Sequence, residues 1–351
     1  MKDKRARASL ARYFDVMQDD KPAKFTIAKK LAADFNGHNS MTELWTLHEK
    51  LTREFHLLQK KIDTRGKQLT QLRTPTQSYL DLKIEIANRI LANCHLCTHR
   101  CGVNRLGGEL GYCKCGIQIT VSTMFQHMGE EPELVPSGTI FTLGCTLQCR
   151  HCQNWSISQW FEKGEIFTPE LLAEGVRHLR NDGARNINLV GGDPTPWLQQ
   201  WLETFRRVDV NVPIVWNSNS YYSEETAKLL TGFADVYLLD FKYGANKCAE
   251  SISDAQGYWE ACTRNHHYGK NYGELLIRVL VLPGHLRCCT KTILNWIAEN
   301  LAGSIRTNIM FQYRPEWRSH EMPGLKRRLT KDERDLVIRF AREAGLTNFI
   351  T

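Results

Sequence analysis

The residues with the clearest chemical capability are three cysteines in one short run. Cys145, Cys149 and Cys152 lie in FTLGCTLQCRHCQN, residues 141–154, with three and then two residues between them. Cysteine thiolates bind iron–sulfur clusters, so three this close together can hold three irons of a cubane cluster. The fourth iron would then be free to chelate a small molecule and pass it an electron. The alternative is a structural zinc site, but zinc normally takes four ligands, and only His151, inside the turn, is available to complete the set.

Length and composition predict a large core and a reducing environment. The chain has 351 residues and 42% hydrophobic content, enough for one barrel-sized domain and an additional segment. No run reaches the ~18 uninterrupted apolar residues of a transmembrane helix, and the charged start, MKDKRAR, does not read as a secretory signal. We therefore expect a cytoplasmic protein without membrane contact, in which the 12 cysteines serve as metal ligands rather than disulfides.

Residues 1–90 predict a helical extension. Apolar side chains recur at three- and four-residue steps and make one stripe, suited to packing against the rest of the protein or a partner helix. The stripe consists of Leu44, Leu47, Leu51, Phe55, Leu58 and Ile62. Nearly all of the net charge of +8 comes from residues 1–75, which hold 16 Lys and Arg against 9 Asp and Glu. A basic arm can bind nucleic acid, but such charges more often form a solvated helix face, so nucleic acid is not the expected partner.

From about residue 139 the pattern changes to alternating strands and helices. The six candidate strands are 140–143, 186–190, 213–216, 236–239, 275–282 and 308–312, and residues 347–350 are a further short candidate. Capping residues predict helix starts at Thr168, Ser223 and Thr330. Strand–helix alternation indicates parallel βα units, and six units make an α/β fold that is a partial (βα)6 barrel. We divide the chain into a helical extension (1–90), a Cys-rich metal-binding segment (91–135) and the barrel (136–351).

Polar residues follow the predicted strands, one group to a strand. In a βα barrel the chemistry gathers at the carboxyl ends of the strands. After the cluster cysteines, the groups in strand order are Gly191-Gly192-Asp193-Pro194, Asn217-Ser218-Asn219, Asp240-Phe241-Lys242, Arg278 within the fifth strand, and Gln312-Tyr313-Arg314-Pro315. Polar residues scattered at random would not keep to strand ends, so we expect these groups to line one site.

The first two groups suit a ligand or a plain turn. Gly191 and Gly192 carry no side-chain bulk and let a ligand approach the backbone closely, although such a dipeptide also marks an ordinary strand-to-helix turn. Asn217 and Asn219 can hydrogen-bond a ligand, but asparagine also forms turns readily.

The charged groups have similar alternatives. Asp240 and Lys242 are two apart on a strand and point to the same face, where they could hold a ligand or form an ion pair with each other. Arg278 and Arg314 offer bidentate forks for a carboxylate or phosphate, and Arg314 could equally form a salt bridge at the rim.

Taken together, these motifs resemble the pyruvate formate-lyase activating enzyme branch of the radical S-adenosylmethionine (SAM) superfamily, whose signature is the C-x3-C-x2-C spacing. The resemblance covers roughly residues 94–351. Besides the cluster run, it is carried by CHLC-x3-CGVNR (94–105), GYC (111–113), H-x-GEEP (127–132), VWNSN (215–219), LDFK (239–242), VLPG (281–284) and QYRP (312–315). The first 90 residues lie outside it.

The resemblance implies an oxidoreductase that uses a 4Fe-4S cluster on the three cysteines to cleave SAM reductively. The resulting 5′-deoxyadenosyl radical would abstract hydrogen from a substrate, with the chemistry supplied by the cofactor. An electron donor such as flavodoxin or ferredoxin is then an expected partner. The implied SAM contacts are Gly191, Gly192, Asn217, Asn219, Asp240 and Lys242. We add Arg278 and Asp193 to this cofactor-binding set, although Gly-Gly-Asp here replaces the usual Gly-Gly-Glu and shortens the reach of that carboxylate.

A second group of cysteines precedes the barrel. Four of them are spaced C-x2-C-x3-C-x11-C: Cys94, Cys97, Cys101 and Cys113, with Cys115 and His95 or His99 as spare ligands. Four soft ligands in so short a segment indicate a metal site. Zinc would make it a structural site that attaches the N-terminal segment to the barrel. A second iron–sulfur cluster would instead relay electrons or bind the substrate. The sequence leaves both open, with free buried thiols as a third alternative.

The remaining cysteines are Cys248, Cys262, Cys288 and Cys289, each most simply a small buried apolar residue. A sharper hypothesis makes one of them catalytic: a thiol near the radical site could donate a hydrogen atom to a substrate radical, as an epimerase requires. Cys248 and Cys262 are the candidate donors.

His127, Glu130 and Glu131 precede the first predicted strand. They could be acid–base groups near the open side of the barrel, or a turn held by local ion pairs. Acid–base work needs proximity to the substrate, which a sequence alone does not reveal.

Two classes of substrate fit the implied radical chemistry. One is a backbone glycine of a partner protein, as in glycyl-radical-enzyme activation. The other is a small molecule or peptide that is epimerised or oxidised. A rival of another class is a non-enzymatic module that binds metal or nucleic acid; it predicts nucleic-acid affinity that falls steeply with salt and no SAM cleavage.

Overall fold

A computed structural model of the chain describes residues 3–64, 66 and 68–351, and its strands join in one sheet. Numbered along the chain, the strands are β1 (Thr120–His127), β2 (Ser137–Thr142), β3 (Glu165–Ile166), β4 (Ile187–Gly191), β5 (Ile214–Ser218), β6 (Val236–Asp240), β7 (Glu274–Leu280), β8 (Arg306–Met310) and β9 (Phe349–Ile350). Their order across the sheet is β3-β1-β2-β4-β5-β6-β7-β8-β9. β3 and β9 are therefore the two edges, and the sheet does not close.

The central six strands confirm the predicted partial barrel. β2, β4, β5, β6, β7 and β8 are each parallel to the next. The candidate strand at 347–350 is also present, since β9 pairs in parallel with β8. β1 was missed by the sequence prediction. It pairs antiparallel with β2 and β3, and its outer half alternates between half-buried and exposed side chains, which gives a short stretch only a weak strand signal.

Helices surround the sheet and form the N-terminal extension. They are α1 (Lys4–Ser9), α2 (Ala11–Met17), α3 (Lys24–Ala28), α4 (Met41–Asp63), α5 (Tyr79–Leu91), α6 (Trp155–Ser158), α7 (Pro169–Asn181), α8 (Leu198–Arg207), α9 (Glu224–Leu230), α10 (Asn246–Ser253), α11 (Tyr258–Tyr272), α12 (Thr292–Leu301) and α13 (Lys331–Glu343). The predicted caps are confirmed: Thr168, Ser223 and Thr330 each accept a backbone hydrogen bond from the first turn of α7, α9 and α13. Among the described residues, no helix combines the length and the apolar character needed to span a bilayer.

The N-terminal helices pack against the amino end of the barrel. Leu10, Tyr13 and Phe14 lie in one buried cluster with barrel residues such as Val236 and Leu276. The predicted apolar stripe faces inward along α4, where Leu44, Leu51, Phe55 and Ile62 are buried. The extension therefore closes the end of the barrel opposite the cysteine loop, and leaves the carboxyl ends of the strands for chemistry.

Candidate metal and cofactor site

The three cluster cysteines lie on the loop that joins the carboxyl end of β2 to α6. Each sulfur has a polar side-chain partner: Asn219 Nδ2 for Cys145 at 3.5 Å, Ser253 Oγ for Cys149 at 3.0 Å and Ser158 Oγ for Cys152 at 3.2 Å. Donors to sulfur stabilise a thiolate more than a thiol, because the negative charge strengthens the hydrogen bond. The surroundings of all three cysteines thus suit metal-bound thiolates.

The spacing of these thiols suits a cluster better than a single ion. Sulfurs bound to one tetrahedral zinc stand ~2.3 Å from the metal, and hence about 4 Å or less from one another. Across the described part of the chain, one set of three or more Cys, His, Asp or Glu ligand atoms lies within 4.8 Å of one another, and these cysteines are not in it. A cubane binds each thiolate to a different iron, which permits the wider spacing.

Burial opposes ionisation of the free thiols. It raises the pKa of Cys145 and Cys149, and the pKa of Cys152 to about 11. For Cys149, the positive charge of the nearby Lys242 ammonium offsets part of this rise in pKa. Because metal binding requires thiolates, a metal bound here would have to displace the protons from these sulfurs.

A cavity opens beside the cysteines at the carboxyl ends of β4 to β7. The structure brings together there the three cysteines and seven of the eight residues predicted to bind the cofactor: Gly191, Gly192, Asn217, Asn219, Asp240, Lys242 and Arg278. The eighth, Asp193, is not among the lining residues. The strand-end groups of β4 to β7 therefore meet at one site, whereas none of the residues Gln312–Pro315 after β8 lines this cavity, contrary to the expectation.

Asp193 turns its carboxylate into the protein. One oxygen accepts the backbone N–H of Thr195 at 2.9 Å, and the other accepts the Ser218 hydroxyl and the backbone N–H of Asn219, both at 2.9 Å. Burial raises the pKa of Asp193, whereas these donors oppose the rise. The side chain thus ties the end of β4 to the end of β5 and holds Asn219, which in turn donates to Cys145.

The two glycines after β4 are required by the close approach of neighbouring backbone. Gly191 has a φ of +138°, and a Cβ there would stand 2.1 Å from the carbonyl oxygen of Thr142. At Gly192 a Cβ would stand 2.0 Å from the carbonyl oxygen of Gly144 in the cluster loop. Any larger residue would push the end of β4 away from the cysteines.

Asp240 and Lys242 form an ion pair on the cavity wall, with 2.6 Å between Lys242 Nζ and an Asp240 carboxylate oxygen. Burial alone would lower the pKa of Lys242, but the negative charge of Asp240 and the nearby Cys149 raises it above its usual range. The ammonium therefore stays charged beside the cluster cysteines.

Arg278 is held by acidic residues from the segment before β2. Glu131 accepts two hydrogen bonds from the guanidinium, each at 2.7 Å, and Glu130 accepts another. A fourth goes to the amide oxygen of Asn217 at 3.2 Å. The Arg278 fork is thus engaged within the protein, and His127, 3.1 Å from Glu130, completes the network. The acidic residues thus form ion pairs, mainly with Arg278 across 147 positions, and only the His127–Glu130 contact is local.

A chain of hydroxyl groups leads from His151 to the sulfur of Cys149. His151 Nε2 lies 3.1 Å from the Tyr243 hydroxyl, which lies 2.5 Å from the Ser253 hydroxyl that donates to Cys149. Burial lowers the pKa of His151 to about 3, so the ring is neutral. Neither Tyr243 nor Ser253 was singled out from the sequence, because isolated Tyr and Ser residues carry no motif.

The second cysteine group lies against the cluster loop. His99 Nε2 is 2.9 Å from the carbonyl oxygen of Thr146, and the Trp160 indole donates to the carbonyl oxygen of Cys113 at 3.2 Å. A Cβ on Gly144 would stand 2.2 Å from the sulfur of Cys115. The two cysteine-rich segments therefore share an interface.

Within this second group one thiol is activated. The hydrogen bond with Cys115 and the charge of Arg105 lower the pKa of Cys113 to about 6, against the effect of burial. Arg105 itself is buried, with Nη1 4.0 Å from the sulfur of Cys94. The four sulfurs of Cys94, Cys97, Cys101 and Cys113 are likewise not a set in which all lie within 4.8 Å of one another, in the part of the chain described.

Three other candidates lie away from the cavity lining. The sulfur of Cys262 is 3.5 Å from both the Tyr258 hydroxyl and His266 Nδ1. Cys248 faces Cys288, with 3.9 Å between the sulfurs. Arg314 is exposed and forms a salt bridge with Glu316 at 3.1 Å, as its rim alternative predicted.

Comparison with known proteins identifies relatives of the whole chain. A family model described as the Radical SAM superfamily matches residues 139–297. The chain is 43% identical over 343 residues to Uncharacterized protein MJ0674 of Methanocaldococcus jannaschii, an alignment that covers 96% of this chain and 98% of that protein.

Two solved structures match the chain over part of its length. Streptococcus suis SuiB matches with a TM-score of 0.43 and 13% identity, over 61% of this chain and 47% of SuiB. Methylornithine synthase (PylB) matches with a TM-score of 0.39 and 15% identity, over 57% of this chain and 60% of that one. The chain thus spans about half the length of SuiB.

Proposed function

Because the chain belongs to the radical SAM superfamily, we propose that it holds a 4Fe-4S cluster on Cys145, Cys149 and Cys152 and cleaves SAM there reductively. The chemistry that the cluster supplies is one electron for a 5′-deoxyadenosyl radical, which abstracts hydrogen from a substrate. The observation that supports this function best is the set of three thiols, two of them buried and each with its own hydrogen-bonding partner, that line one cavity.

The cavity offers groups for both ends of the SAM amino acid. The Asp240 carboxylate can bind the ammonium group, and Lys242 can bind the carboxylate, since the two already carry opposite charges side by side. Asn217 adds a side-chain amide to the same wall. Asp193 acts through Asn219, as a positioning residue that fixes the end of β5.

We assign the second cysteine group to an auxiliary iron–sulfur cluster rather than zinc. Two observations support the choice. In the described part of the chain, no three of its four sulfurs all lie within 4.8 Å of one another, and its loop adjoins the loop that carries Cys145, Cys149 and Cys152. Such a position suits an electron relay from a donor such as flavodoxin or ferredoxin, within a reducing cytoplasm.

The substrate that we propose is a polypeptide. An aromatic patch, formed by Trp155, Phe161 and Trp317, lies beside the cavity. Trp155 and Trp317 stack with 4.6 Å between ring centroids, and Phe161 is 61% exposed. Trp155 directly follows Gln153 and Asn154, which line the cavity. Trp155 and Trp317 are half-buried, so Phe161 is the exposed member of the patch. Partly exposed aromatic side chains are typical of protein–protein contacts, so a glycine in a partner protein or a residue in a peptide is favoured over a small molecule.

The basic arm gives little support to a nucleic-acid-binding module. Arg12 forms ion pairs with Asp63 and Asp235, and Lys24 donates to the carbonyl oxygen of Ala234. These cations are thus engaged with the barrel instead of forming a free basic surface.

The test of this function is SAM cleavage by anaerobically prepared, reduced protein. Wild type should convert SAM to 5′-deoxyadenosine and methionine, and the Cys145/Cys149/Cys152→Ala variant should produce neither. Absence of 5′-deoxyadenosine from iron-loaded, reduced wild type would refute the proposal. Replacing Trp155 and Trp317 by Ala should spare this basal cleavage while abolishing stimulation by a polypeptide substrate; stimulation by small molecules alone would overturn the substrate class.

A further inference from the structure

Four side chains outside the lining of the cavity converge at the turn that precedes α12. The sulfurs of Cys248, Cys288 and Cys289 and a ring nitrogen of His285 all lie within 4.8 Å of one another. In the part of the chain that the structure describes, they are the one set of three or more such ligand atoms this close together. The set therefore differs from both cysteine groups considered above.

The individual separations match one tetrahedral ion. With zinc–sulfur bonds of ~2.3 Å and a zinc–nitrogen bond of ~2.0 Å, tetrahedral ligands stand about 3.8 Å apart for two sulfurs and about 3.5 Å apart for sulfur and nitrogen. The observed distances are 3.9 Å from Cys288 Sγ to both Cys248 Sγ and Cys289 Sγ, and 3.6 Å from Cys288 Sγ to His285 Nδ1.

The local backbone is built to bring three of these ligands together. His285, Cys288 and Cys289 lie at or within a π-helical turn, Leu286–Lys291, which precedes α12. Both Cys289 and Thr290 donate their backbone N–H to the carbonyl oxygen of His285. Such turns are rare and often mark functional positions, and here the turn gathers residues that a regular helix would direct differently.

The fourth ligand comes from a different strand-end loop. Cys248 lies in the first turn of α10, after β6, whereas the other three follow β7. Gly244, in the loop before α10, approaches the turn so closely that a Cβ there would stand 2.7 Å from the carbonyl oxygen of Cys289. The two loops are thus packed in the arrangement that a shared ligand set requires.

Other chemistries fit these distances less well. A disulfide needs sulfurs about 2.05 Å apart, and the sulfur pairs here are nearly twice as far. A cubane binds each thiolate to a different iron, which requires a wider spacing between the sulfurs. Three soft thiolates and one imidazole in tetrahedral arrangement are the ligand set of zinc, and four protein ligands leave no open position for catalysis.

We propose that Cys248, His285, Cys288 and Cys289 bind one structural zinc ion that clamps the loops after β6 and β7 together. The clamp holds the start of α10, and the end of the same helix carries Ser253, which donates to Cys149. The loop between β6 and α10 also carries Lys242. Zinc would therefore fix the cavity wall from outside without touching the reacting atoms.

The test is metal analysis of full-length protein purified anaerobically without chelators. Wild type should contain about one zinc per chain, and zinc K-edge absorption should show three sulfurs at ~2.3 Å and one nitrogen at ~2.0 Å. Cys288→Ala/Cys289→Ala protein should lose most of its zinc and unfold at a lower temperature, yet retain its iron. The matched control, Cys262→Ala, removes a buried cysteine outside the set and should keep the zinc.

Three results would overturn the proposal. Wild type could contain no zinc, or show a disulfide among these cysteines by mass spectrometry. Alternatively, zinc could persist in the double variant and disappear from a Cys97→Ala/Cys101→Ala variant, which would place it in the N-terminal group. The absorption spectrum of wild type decides the ligand set even if the double variant fails to fold, and iron content tests the SAM-binding cluster separately.

Discussion

The Ser253 hydroxyl donates a hydrogen bond to the sulfur of Cys149 across 3.0 Å. Ser253 is the last residue of α10, and its own oxygen lies 2.5 Å from the Tyr243 hydroxyl. A neutral His151 with its proton on Nε2 would donate to Tyr243, which would donate to Ser253. The hydroxyl chain thus presents a donor to a cluster thiolate and favours the more negatively charged, reduced cluster.

Removing that donor should make the cluster harder to reduce. In Ser253→Ala the reduced cluster loses more stabilisation than the oxidised one, because its thiolates carry more charge. If the reduced cluster loses about 1.4 kcal/mol more stabilisation than the oxidised cluster, the potential changes by ~59 mV for one electron. We therefore expect the midpoint potential to fall by tens of millivolts. A redox titration followed by electron paramagnetic resonance measures it.

The control for this prediction is Ser251→Ala. Ser251 lies on the same helix but is exposed, and it donates to the backbone of Cys248 rather than to the cluster. The midpoint potential of the cluster in Ser251→Ala should equal that of wild type. An unchanged potential in Ser253→Ala would show that the hydrogen bond does not tune the cluster.

Replacing Asp193 should weaken SAM binding even though its carboxylate does not line the cavity. Asp193→Ala leaves the Ser218 hydroxyl and the Asn219 N–H without their acceptor, and an unsatisfied buried group costs roughly 1–3 kcal/mol. The loosened end of β5 should lower SAM affinity about tenfold, the equivalent of ~1.4 kcal/mol.

Equilibrium dialysis of SAM against cluster-loaded protein measures that affinity. Asp209→Asn, at a surface position where the side chain is 76% exposed, is the matched control and should bind like wild type. Wild-type affinity in Asp193→Ala would contradict the positioning role.

His266 should make stability depend on pH. Burial lowers its pKa to about 4, and its Nδ1 contacts the carbonyl oxygen of Cys262 at 2.8 Å. Above pH ~6.5 the histidine is neutral in both the folded and unfolded states. Below that, only the unfolded chain takes up the proton, so the free energy of unfolding should fall by up to ~1.4 kcal/mol per pH unit until pH approaches the folded pKa.

Urea unfolding of wild type and His266→Gln between pH 7 and pH 5 checks this dependence. The variant should lose less stability than wild type as the pH falls. His178→Gln, which alters an exposed histidine, should follow wild type; parallel curves for wild type and His266→Gln would contradict the expected uptake of a proton.

The hydrogen-donor hypothesis for Cys248 and Cys262 remains a prediction. If either thiol donates, its replacement by Ala should abolish product formation while a substrate radical still accumulates, because hydrogen abstraction precedes donation. The zinc proposal separates the two positions, since Cys248→Ala should also lose zinc. Unchanged turnover in both variants, measured once a substrate is identified, would eliminate the hypothesis.

The sequence allowed local features of the site to be predicted well. Cys145, Cys149 and Cys152 lie within eight residues, and each strand-end group follows its own strand, so spacing and alternation alone indicated the cluster and the barrel. The capping residues likewise act within one helical turn. Such features depend on neighbours along the chain, which a sequence shows directly.

Long-range pairings could not be read in the same way. Arg278 meets Glu131 across 147 positions, and Ser253 meets Cys149 across 104. No motif in the sequence predicted the π-helical turn that brings His285 close to Cys288 and Cys289. Asp193 could be placed at the site but not oriented, because the direction of its carboxylate depends on donors from β5.

The most direct test of the central claim is the iron and sulfide content of anaerobically prepared protein. We predict that the Cys145/Cys149/Cys152→Ala variant will contain about four fewer irons per chain than wild type, while the auxiliary cysteine group keeps its own metal. If the variant loses no iron, these cysteines do not hold the cluster, and the proposed function is wrong.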